Sequence, residues 1–577
     1  MKLSDNNISS HRLLPAILLW AVPLALIVPN IWLDFTEPYT AAEKAVNILL
    51  PLGVYFFLMS FWRRNAIAAL SLIPVMILAA FQIVLLFLYG ESIIAIDMFL
   101  NVLTTNAREA TELLKNLGPA ILTVLVLYLP VIVLSIIALC RHCRLSDRER
   151  RIGLYTGDII AVAGIMMLLV ALCGERGYNV SRRLFPLNVT CNMFTATERF
   201  EAAKNYFSAS ENYRFNATAS SHDSVPPIFV LVIGETGRAD NWQLNGYKRA
   251  TNPRLSQREG IVSFTRALSE SNTTHKSVPL LMSAFDSRAF SDSIYCSRGI
   301  IDTFGEVGYS TIWLSNQQRN NSLIDFFGTR ADTHRFLTDD GYTHLDMELV
   351  PHLKSCIDSI GSKAIFAVLH TYGSHFNYKE RYPAEFAKFL PEPSAEAEAA
   401  NRDGLINAYD NTILYTDAVL DSIMCTLEAT GRPAALLYLS DHGEDIFDDS
   451  RERFLHASPT PTYWQIHVPM LLWINKDMQC ARGGAYETAL ANKGCNVSSS
   501  RSAFHTLVAL ADIDTPRFRP DASLVSASYR EPERLYLNDY NEAVALKESG
   551  LKKHDFEMLE KHGISYGQAQ SDYTQAH

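Results

Sequence analysis

The stretch PIFVLVIGE, residues 227–235, decides the fold of the soluble part of this chain. Six consecutive apolar residues, Ile228 to Ile233, are followed at once by a glycine and by the carboxylate of Glu235. A short run that is apolar at every position predicts a strand buried on both faces of a sheet. Because such strands are typical of α/β architectures, a functional group is expected where this strand ends.

Four further runs share this pattern, and helical stretches separate them. They are TIWLSN (311–316), AIFAVLH (364–370), AALLYLSDHG (434–443) and VPMLLWIN (468–475). Together the five runs predict a sheet of buried parallel strands with helices on both faces, an α/β/α sandwich over residues 226–577. Since the carboxyl ends of parallel strands meet at one edge, their polar side chains are expected to converge there.

The first third of the chain consists largely of long apolar segments. Five of them are long enough to cross a bilayer, which takes about 20 residues of helix; they are 13–33, 45–62, 66–89, 118–140 and 154–174. These segments predict a transmembrane domain of five helices over residues 1–176, followed by interfacial linker helices over 177–225.

Basic residues predict the orientation of these helices. Arg63 and Arg64 lie between the second and third segments, and RHCRLSDRERR (141–151) lies between the fourth and fifth. By the positive-inside rule both loops are cytoplasmic, and an odd number of spans exports everything after Arg176 to the periplasm or its equivalent. The net charge of −10, without a Lys/Arg-rich block in the soluble part, gives no support for a nucleic-acid partner.

The loop over residues 90–117, predicted to be periplasmic and amphipathic, carries polar residues at helical spacing. Asn101, Thr105 and Glu109 fall at i, i+4 and i+8, on one face of a helix near the membrane surface. Two interpretations stay open: a solvated helix face, or a platform that holds a lipid head group.

The strand ends carry a set of potential metal ligands. Glu235 closes the first strand, and Asp441 and His442 follow the strand that begins AALLYLS. Zn²⁺ accepts carboxylate oxygen and imidazole nitrogen, and a catalytic zinc site keeps one position for the reacting group. A hydroxyl there becomes a nucleophile near neutral pH, and Thr273 and Thr274 precede an apolar helical run whose N-terminus would favour a phosphoryl group.

Several histidines also lie at strand ends and could contact phosphate oxygens or a leaving group. They are His370, His375, His456 and His467. Singly, each is more often a hydrogen-bonded structural residue. As a set beside Asp441 and Glu235 they indicate a catalytic site, with His467 interpreted as structural.

At these residues the chain resembles the phosphoethanolamine transferases of Gram-negative bacteria, a branch of the sulfatase and alkaline phosphatase superfamily. The most specific matches are GETGRADNWQLNGYKRATNPRL (234–255), INAYDN (406–411), RYPAEFAKFLP (381–391) and SDHGE (440–444). The five apolar segments and a T-N-x-x-E element at Thr105, Asn106 and Glu109 extend the resemblance over nearly the whole chain. The resemblance implies a bacterial inner-membrane protein with an alkaline-phosphatase-like periplasmic domain.

The resemblance also implies roles for individual residues. Zinc ligands would be Glu235, Thr274, Asp441 and His442, with Thr274 the residue that becomes phosphoryl-modified because it lies four residues before Val278-Pro279. Thr273 is then a helix cap. The phosphoethanolamine group would be bound by His375 and His456, near His370, Asn316, Gln317, Asn101, Thr105 and Glu109.

The function implied is transfer of phosphoethanolamine from phosphatidylethanolamine to lipopolysaccharide, at lipid A or core, or to another envelope glycan, through a phosphothreonine. A phosphoglycerol transferase, or another phosphodiester-cleaving member of the superfamily, is the alternative that residue types leave open. A sulfatase would need C/S-x-P-S/A-R at the nucleophile, and 271–283 lacks it. A dead scaffold would have lost a ligand among Glu235, Thr274, Asp441 and His442, and all are present.

The nucleophile loop, SESNTTHKSVPLLM, lacks the cysteines that flank it in lipid A-modifying relatives, so the acceptor stays open. Among the cysteines outside the membrane, Cys480 and Cys495 close a short Gly-containing loop and are predicted to form a disulfide in an oxidising periplasm.

Overall fold

The computed structural model describes residues 4–90, 92–104, 117–174, 178–219, 224–392 and 397–567. The chain divides into two compact units, and the boundary between them lies between Thr197 and Glu198. This boundary falls inside the segment 177–225 that the sequence predicts to be a linker. The two units are described separately below.

The first unit is helical. Its helices are α1 (Ser4–Leu26), α2 (Val28–Thr36), α3 (Ala41–Phe61), α4 (Asn65–Ser71), α5 (Ile73–Tyr89), α6 (Ile96–Thr104), α7 (Gly118–Cys140), α8 (Asp147–Leu172), α9 (Val180–Arg183) and α10 (Leu187–Lys204), which continues past the boundary. Four stretches are long and apolar enough to cross a membrane: Leu13–Thr36, Ala41–Phe61, Gly118–Cys140 and Asp147–Leu172.

Two helices joined at a bend take the place of the third predicted span. Helices α4 and α5 meet at Leu72 with a bend of 47°, and together they pass the same test of length and apolarity, which gives up to five spans. Pro74 occupies one of the first positions of α5. Because proline lacks an N–H and clashes with the preceding turn, it ends one helix and begins the next.

Helices α3 and α8 approach each other closely at small residues. A Cβ atom on Gly53 would lie 2.5 Å from the backbone nitrogen of Ala161, and one on Gly164 would lie 2.8 Å from that of Leu50. Small residues of this kind allow close packing between helices in a bilayer, where van der Waals contact drives association.

The second unit is built around a seven-stranded sheet with the strand order β3-β11-β8-β2-β7-β5-β6. Its strands are β2 (Ile228–Gly234), β3 (Ile261–Ser263), β5 (Ser310–Ser315), β6 (Thr333–Phe336), β7 (Ile365–His370), β8 (Ala434–Ser440) and β11 (Met470–Ile474). Short strands outside it are β1 (Thr218–Ala219), β4 (Ala267–Leu268), β9 (Asp445–Ile446), β10 (Phe454–Leu455), β12 (Val497–Ser498), β13 (Ile513–Asp514), β14 (Leu535–Leu537) and β15 (Ala543–Ala545).

Helices cover both faces of this sheet. The helices of this unit are α11 (Tyr206–Ala209), α12 (Thr274–Met282), α13 (Phe290–Ser293), α14 (Ile300–Glu306), α15 (Leu323–Gly328), α16 (Leu349–Ile360), α17 (Arg402–Glu428), α18 (Tyr463–Ile466), α19 (Lys476–Ala481), α20 (Ala485–Asn492), α21 (Ser499–Leu510) and α22 (Lys553–Lys561). The side chains of β2 alternate between two hydrophobic cores: Phe229 and Leu231 pack with α12 and α21, whereas Val230 and Val232 pack with α16 and α17. The predicted α/β/α sandwich is therefore confirmed.

One strand runs opposite to the prediction. β2 pairs in parallel with both β7 and β8, but β11 pairs antiparallel to β8. The prediction that all five runs are parallel was wrong for VPMLLWIN, because apolarity reports burial and carries no information on direction. As a consequence β11 begins, rather than ends, at the edge where β8 ends.

The disulfide prediction is not confirmed. All nine cysteines lie in the described part of the chain, and Cys480 and Cys495 are free thiols there, as are the rest. The eight-residue helix α20 lies between this pair, in the segment that was interpreted as a short Gly-containing loop.

Candidate active site

The register of two neighbouring strands brings the predicted ligands together. Gly234 at the end of β2 pairs with Ser440 at the end of β8, so Glu235 and Asp441 follow directly and side by side. The backbone N–H of Asp441 donates to the carbonyl of Gly234 at 3.1 Å. All three side chains at this point, those of Glu235, Asp441 and His442, are buried.

Thr274 reaches this cluster from the start of α12. Its Oγ1 lies 3.0 Å from Nε2 of His442 and 3.5 Å from each carboxylate oxygen of Glu235. Thr273 is the N-cap residue of α12, and its side chain makes no capping hydrogen bond. The first residue of the helix therefore presents its hydroxyl to an acidic and an imidazole side chain at the positive end of the helix dipole.

His442 is held in the form that a metal requires. Its Nδ1 lies 2.9 Å from the carbonyl of Gly443, a contact in which only a ring N–H can donate. Nε2 is then the free ring nitrogen, and it faces Oε1 of Glu235 at 3.4 Å and Oδ2 of Asp441 at 3.3 Å. Burial lowers the pKa of His442 to about 4, so the ring is neutral at pH 7.

Asp441 is buried with half of its carboxylate unsatisfied. Oδ1 accepts the backbone N–H groups of His442 at 2.7 Å and Thr236 at 3.3 Å, whereas Oδ2 makes no hydrogen bond among the described residues. Burial raises the pKa of Asp441 to about 7. A cation at this point would favour the ionised carboxylate and would satisfy the unpaired lone pairs of the buried Oδ2.

His456, which was predicted to bind substrate, lies close enough to the predicted metal ligands to be a ligand itself. Ligand atoms of Glu235, His442 and His456 all lie within 4.8 Å of one another. The rings of His442 and His456 are 4.2 Å apart, and Nδ1 of His456 is 4.0 Å from Oε2 of Glu444. Two imidazoles and carboxylates from the ends of two strands form a donor set that fits Zn²⁺.

His375 lies on the rim of the same cluster. Its ring centroid is 6.0 Å from that of His456, and it stacks on Tyr372 at 5.2 Å. It belongs to the turn that follows β7, and the guanidinium of Arg381 donates to its backbone carbonyl at 2.9 Å. Residues from three strand ends, β2, β7 and β8, thus meet at one edge of the sheet.

Gln317 and Asn316 follow β5 and contact the cluster from its other side. Nε2 of Gln317 donates to Glu235 at 3.2 Å and to the carbonyl of Thr371 at 3.0 Å. Asn316 instead donates to Oδ1 of Asp346 at 2.7 Å. Gln317 therefore touches a predicted metal ligand directly, whereas Asn316 acts through a buried carboxylate.

Asp346 is a residue that sequence reasoning missed. It is buried, and besides Asn316 it accepts the backbone N–H groups of Tyr372 at 2.8 Å and Gly373 at 2.9 Å. It thereby ties the turn after β5 to the turn that carries His375. Its sequence context, LDMELV ahead of α16, is that of an ordinary acidic helix start, so no signal marked it.

The remaining predicted residues lie apart from this cluster or outside the description. His370 contacts Ser315 and the ring of Trp313, and burial lowers its pKa to about 3. His467, at the start of β11, bonds to Asp240 at 2.8 Å and to the carbonyl of Thr265 at 3.0 Å. Asn101 lies in α6, but its side chain, Thr105 and Glu109 fall outside the described residues.

A comparison with protein-family models agrees with this geometry. The model that matches is Sulfatase, over residues 227–513, which includes every strand of the large sheet. Residues 227–513 form a sulfatase-family domain. The predicted resemblance to the phosphoethanolamine transferases is confirmed, because curated relatives over most of the chain carry that name.

Among curated relatives, phosphoethanolamine transferase EptA of Salmonella typhimurium is 27% identical over 507 residues, which cover 84% of this chain and 89% of that protein. The full-length lipooligosaccharide phosphoethanolamine transferase A of Neisseria meningitidis superposes with a TM-score of 0.69 at 22% identity, covering 90% of this chain and 99% of that one. The C-terminal periplasmic domain of EptC of Escherichia coli, in complex with zinc, has a TM-score of 0.53 at 23% identity, covering 59% and 97%. The last two likenesses establish the fold.

Proposed function

We propose that this protein is a zinc-dependent phosphoethanolamine transferase of the bacterial inner membrane, with its catalytic domain in the periplasm. The observation that carries the proposal is the position of the Thr274 hydroxyl, 3.0 Å from the free Nε2 of His442 and 3.5 Å from Glu235. The names of the relatives supply the transferred group, and phosphatidylethanolamine is the phospholipid that carries it. The acceptor proposed is lipopolysaccharide, at lipid A or core.

Zinc would be held by Glu235, Thr274, Asp441 and His442, with His456 within reach of the same point. When bound, the ion would lower the pKa of the threonine hydroxyl and stabilise negative charge on phosphoryl oxygens. The dipole at the start of α12 favours negative charge on the same oxygens. Gln317, which donates to Glu235, orients that carboxylate.

In the first half-reaction the Thr274 oxygen attacks the phosphorus of phosphatidylethanolamine. The threonine O–P bond forms, the bond from phosphorus to the diacylglycerol oxygen breaks, and that oxygen takes up a proton as diacylglycerol leaves. The hydroxyl proton of Thr274 passes to a neighbouring base. His456 is the base proposed to carry these protons, because its ring lies 4.2 Å from that of His442, which contacts the Thr274 hydroxyl.

In the second half-reaction an oxygen of the acceptor attacks the same phosphorus. The new O–P bond forms as the bond to Thr274 breaks, the acceptor proton leaves through His456, and the threonine oxygen recovers a proton. His375, on the rim beside His456, is suited to contact the phosphoethanolamine group in both halves.

The test is intact-protein mass spectrometry of the full chain after incubation with phosphatidylethanolamine. Wild-type protein is expected to gain one phosphoethanolamine on Thr274, and Thr274→Ala to gain none and to lose transfer by at least about 10³-fold. Thr273→Ala is the matched control, because Thr273 is the adjacent buried residue and its side-chain hydroxyl contacts that of Ser271 at 3.2 Å.

Two outcomes would contradict the proposal. Full transfer by a folded Thr274→Ala variant would remove the nucleophile, and an adduct with the mass of phosphoglycerol formed from phosphatidylglycerol would make the protein a phosphoglycerol transferase.

A further inference from the structure

An open cavity of about 270 Å³ lies in the helical unit, far along the chain from the proposed catalytic residues. Two loops form it, the α3–α4 loop and the α7–α8 loop. Its lining residues are Trp62, Arg63, Arg64, Ile67 and Arg144. Three guanidinium groups, one indole and one aliphatic side chain thus surround the same space.

The two loops are fixed to each other by backbone contacts. The N–H of Leu145 donates to the carbonyl of Arg63 at 2.8 Å. Arg150 on α8 donates from Nε to the carbonyl of Ser60 and from Nη2 to that of Phe61, both at 3.2 Å. The arginines of the cavity are therefore presented by a preformed backbone, which lowers the entropy lost when a ligand binds.

The positive charge of the cavity is largely uncompensated. Arg63 pairs with Asp147 at 2.7 Å, and more than half of each side chain is exposed. In the part of the chain that the structure describes, neither Arg64 nor Arg144 has a carboxylate partner. An anion entering the cavity would meet two unpaired guanidinium groups, each able to donate in bidentate fashion to a phosphate.

The cavity also lies where apolar helices end. Helix α3 ends at Phe61, α4 begins at Asn65, and α7 ends at Cys140. Trp62 and Ile67 beside the arginines are 48% and 47% exposed, a composition typical of the level of lipid head groups. Basic loops ordinarily keep their end of the helices on the cytoplasmic side of the membrane. That role requires positive charge alone and does not require the arginines to line a common cavity.

We propose that this cavity, the Arg64–Arg144 cavity, binds the phosphodiester of an anionic phospholipid on the side of the membrane that these loops face. Arg64 and Arg144 donate to the phosphate oxygens, Trp62 lies at the level of the glycerol, and Ile67 contacts the acyl chain. The site differs from the proposed transfer site in chemistry, since it offers cations and no nucleophile.

The test is native mass spectrometry of the full chain in detergent, titrated with phosphatidylglycerol or with phosphatidylcholine of the same acyl chains. Arg64→Gln combined with Arg144→Gln is expected to weaken phosphatidylglycerol binding by about 10- to 30-fold, since each arginine near an anionic lipid contributes roughly 1 kcal/mol. Arg148→Gln combined with Arg151→Gln is the matched control. It removes the same net charge from exposed residues of α8 outside the cavity. It is expected to leave binding within about threefold of wild type, because neither side chain is placed to donate a hydrogen bond to the bound phosphate.

Equal losses in the two double variants would mean diffuse surface charge and would overturn the proposal. So would equal binding of phosphatidylcholine, or displacement of the lipid by inorganic phosphate at equal concentration, which would make the cavity a site for free anions. Arg64→Lys combined with Arg144→Lys keeps the charge and guards against misfolding; it is expected to weaken binding less than the glutamine pair does.

Discussion

Asn47 in the helical unit and Asp441 in the soluble unit are both fully buried, but their polar atoms differ in how many hydrogen bonds they make. Asn47 donates to Asp34 at 2.8 Å and to the carbonyl of Asn30 at 3.0 Å, and its own oxygens accept from Nδ2 of Asn30. Asp441, in contrast, leaves Oδ2 without a hydrogen bond from any residue that the structure describes. An unpaired buried atom alone does not indicate a ligand, since Oδ1 of Asn30 is unpaired as well in the described part of the chain. What sets Asp441 apart is that its unpaired oxygen is a carboxylate oxygen 3.3 Å from Nε2 of His442, where a cation would be stabilised.

The surfaces of the two units also differ, in how many large apolar side chains they expose. Large apolar side chains of the helical unit are exposed, for example Ile159 at 71% and Val126 at 64%, whereas those of the large sheet are buried. The two units are built for different solvents: lipid is as apolar as Leu, so the helices gain little by hiding such residues. Polar bonds and close packing therefore carry specificity in the first unit, and hydrophobic burial carries stability in the second.

The largest effect is expected from Asp441→Asn. This change removes a charged ligand, so zinc affinity is expected to fall by more than the roughly 100-fold seen for residues that only support a ligand. Elemental analysis of the purified full chain measures zinc per molecule. Asp445→Asn is the control, because Asp445 is equally buried but accepts from Thr462 at 2.7 Å and Gln465 at 2.8 Å. If both variants keep their zinc, the unsatisfied oxygen does not mark a metal site.

A smaller effect is expected from Asp346→Ala, which cuts three hydrogen bonds between the turns that carry Asn316 and His375. We expect KM for the phospholipid to rise by about tenfold, with kcat changed less and zinc content unchanged, because the affected residue lies on the rim. Steady-state kinetics and elemental analysis measure these quantities.

Asp417→Ala is the control for Asp346→Ala. Asp417 is a buried carboxylate that accepts the N–H groups of Leu255 and Arg254 at 3.0 and 3.1 Å, away from the cluster. The control is expected to lose stability without a change in KM. Equal rises in KM would show that Asp346 acts through general stability and has no positioning role.

The smallest effect is expected in the helical unit, from Asn47→Ala. Loss of its hydrogen bonds to Asn30 and Asp34 is expected to cost about 1 kcal/mol, the usual scale for such bonds between membrane helices. Thermal unfolding in detergent measures this loss of stability. Zinc content is measured as well, because it reports on the soluble unit alone. Val54→Ala on the same helix, at a position 43% exposed, is expected to have almost no effect. A loss of zinc in Asn47→Ala would show that this hydrogen-bond network also supports the metal site, which contradicts a purely structural role for Asn47.

Sequence reasoning located most of the elements of both units. The five long apolar segments predicted the candidate membrane spans, and the short apolar runs predicted five buried strands of the large sheet. Both predictions were possible because the local pattern of apolar residues indicates which segments are buried. The same pattern could not predict the break at Leu72. A proline within an apolar segment is compatible with a straight or a kinked helix, and the packing of neighbouring helices decides between them.

Glu235 and Asp441 could be assigned to one site from sequence because both directly follow buried strands, and neighbouring strand ends converge. What only the tertiary structure decided is everything that depends on contacts distant in sequence: the reversed direction of β11, the approach of His456 to His442, and the role of Asp346. The physical reason is that hydrophobic periodicity is a local property, whereas strand direction and the partners of a buried carboxylate are selected by packing among segments far apart in the chain.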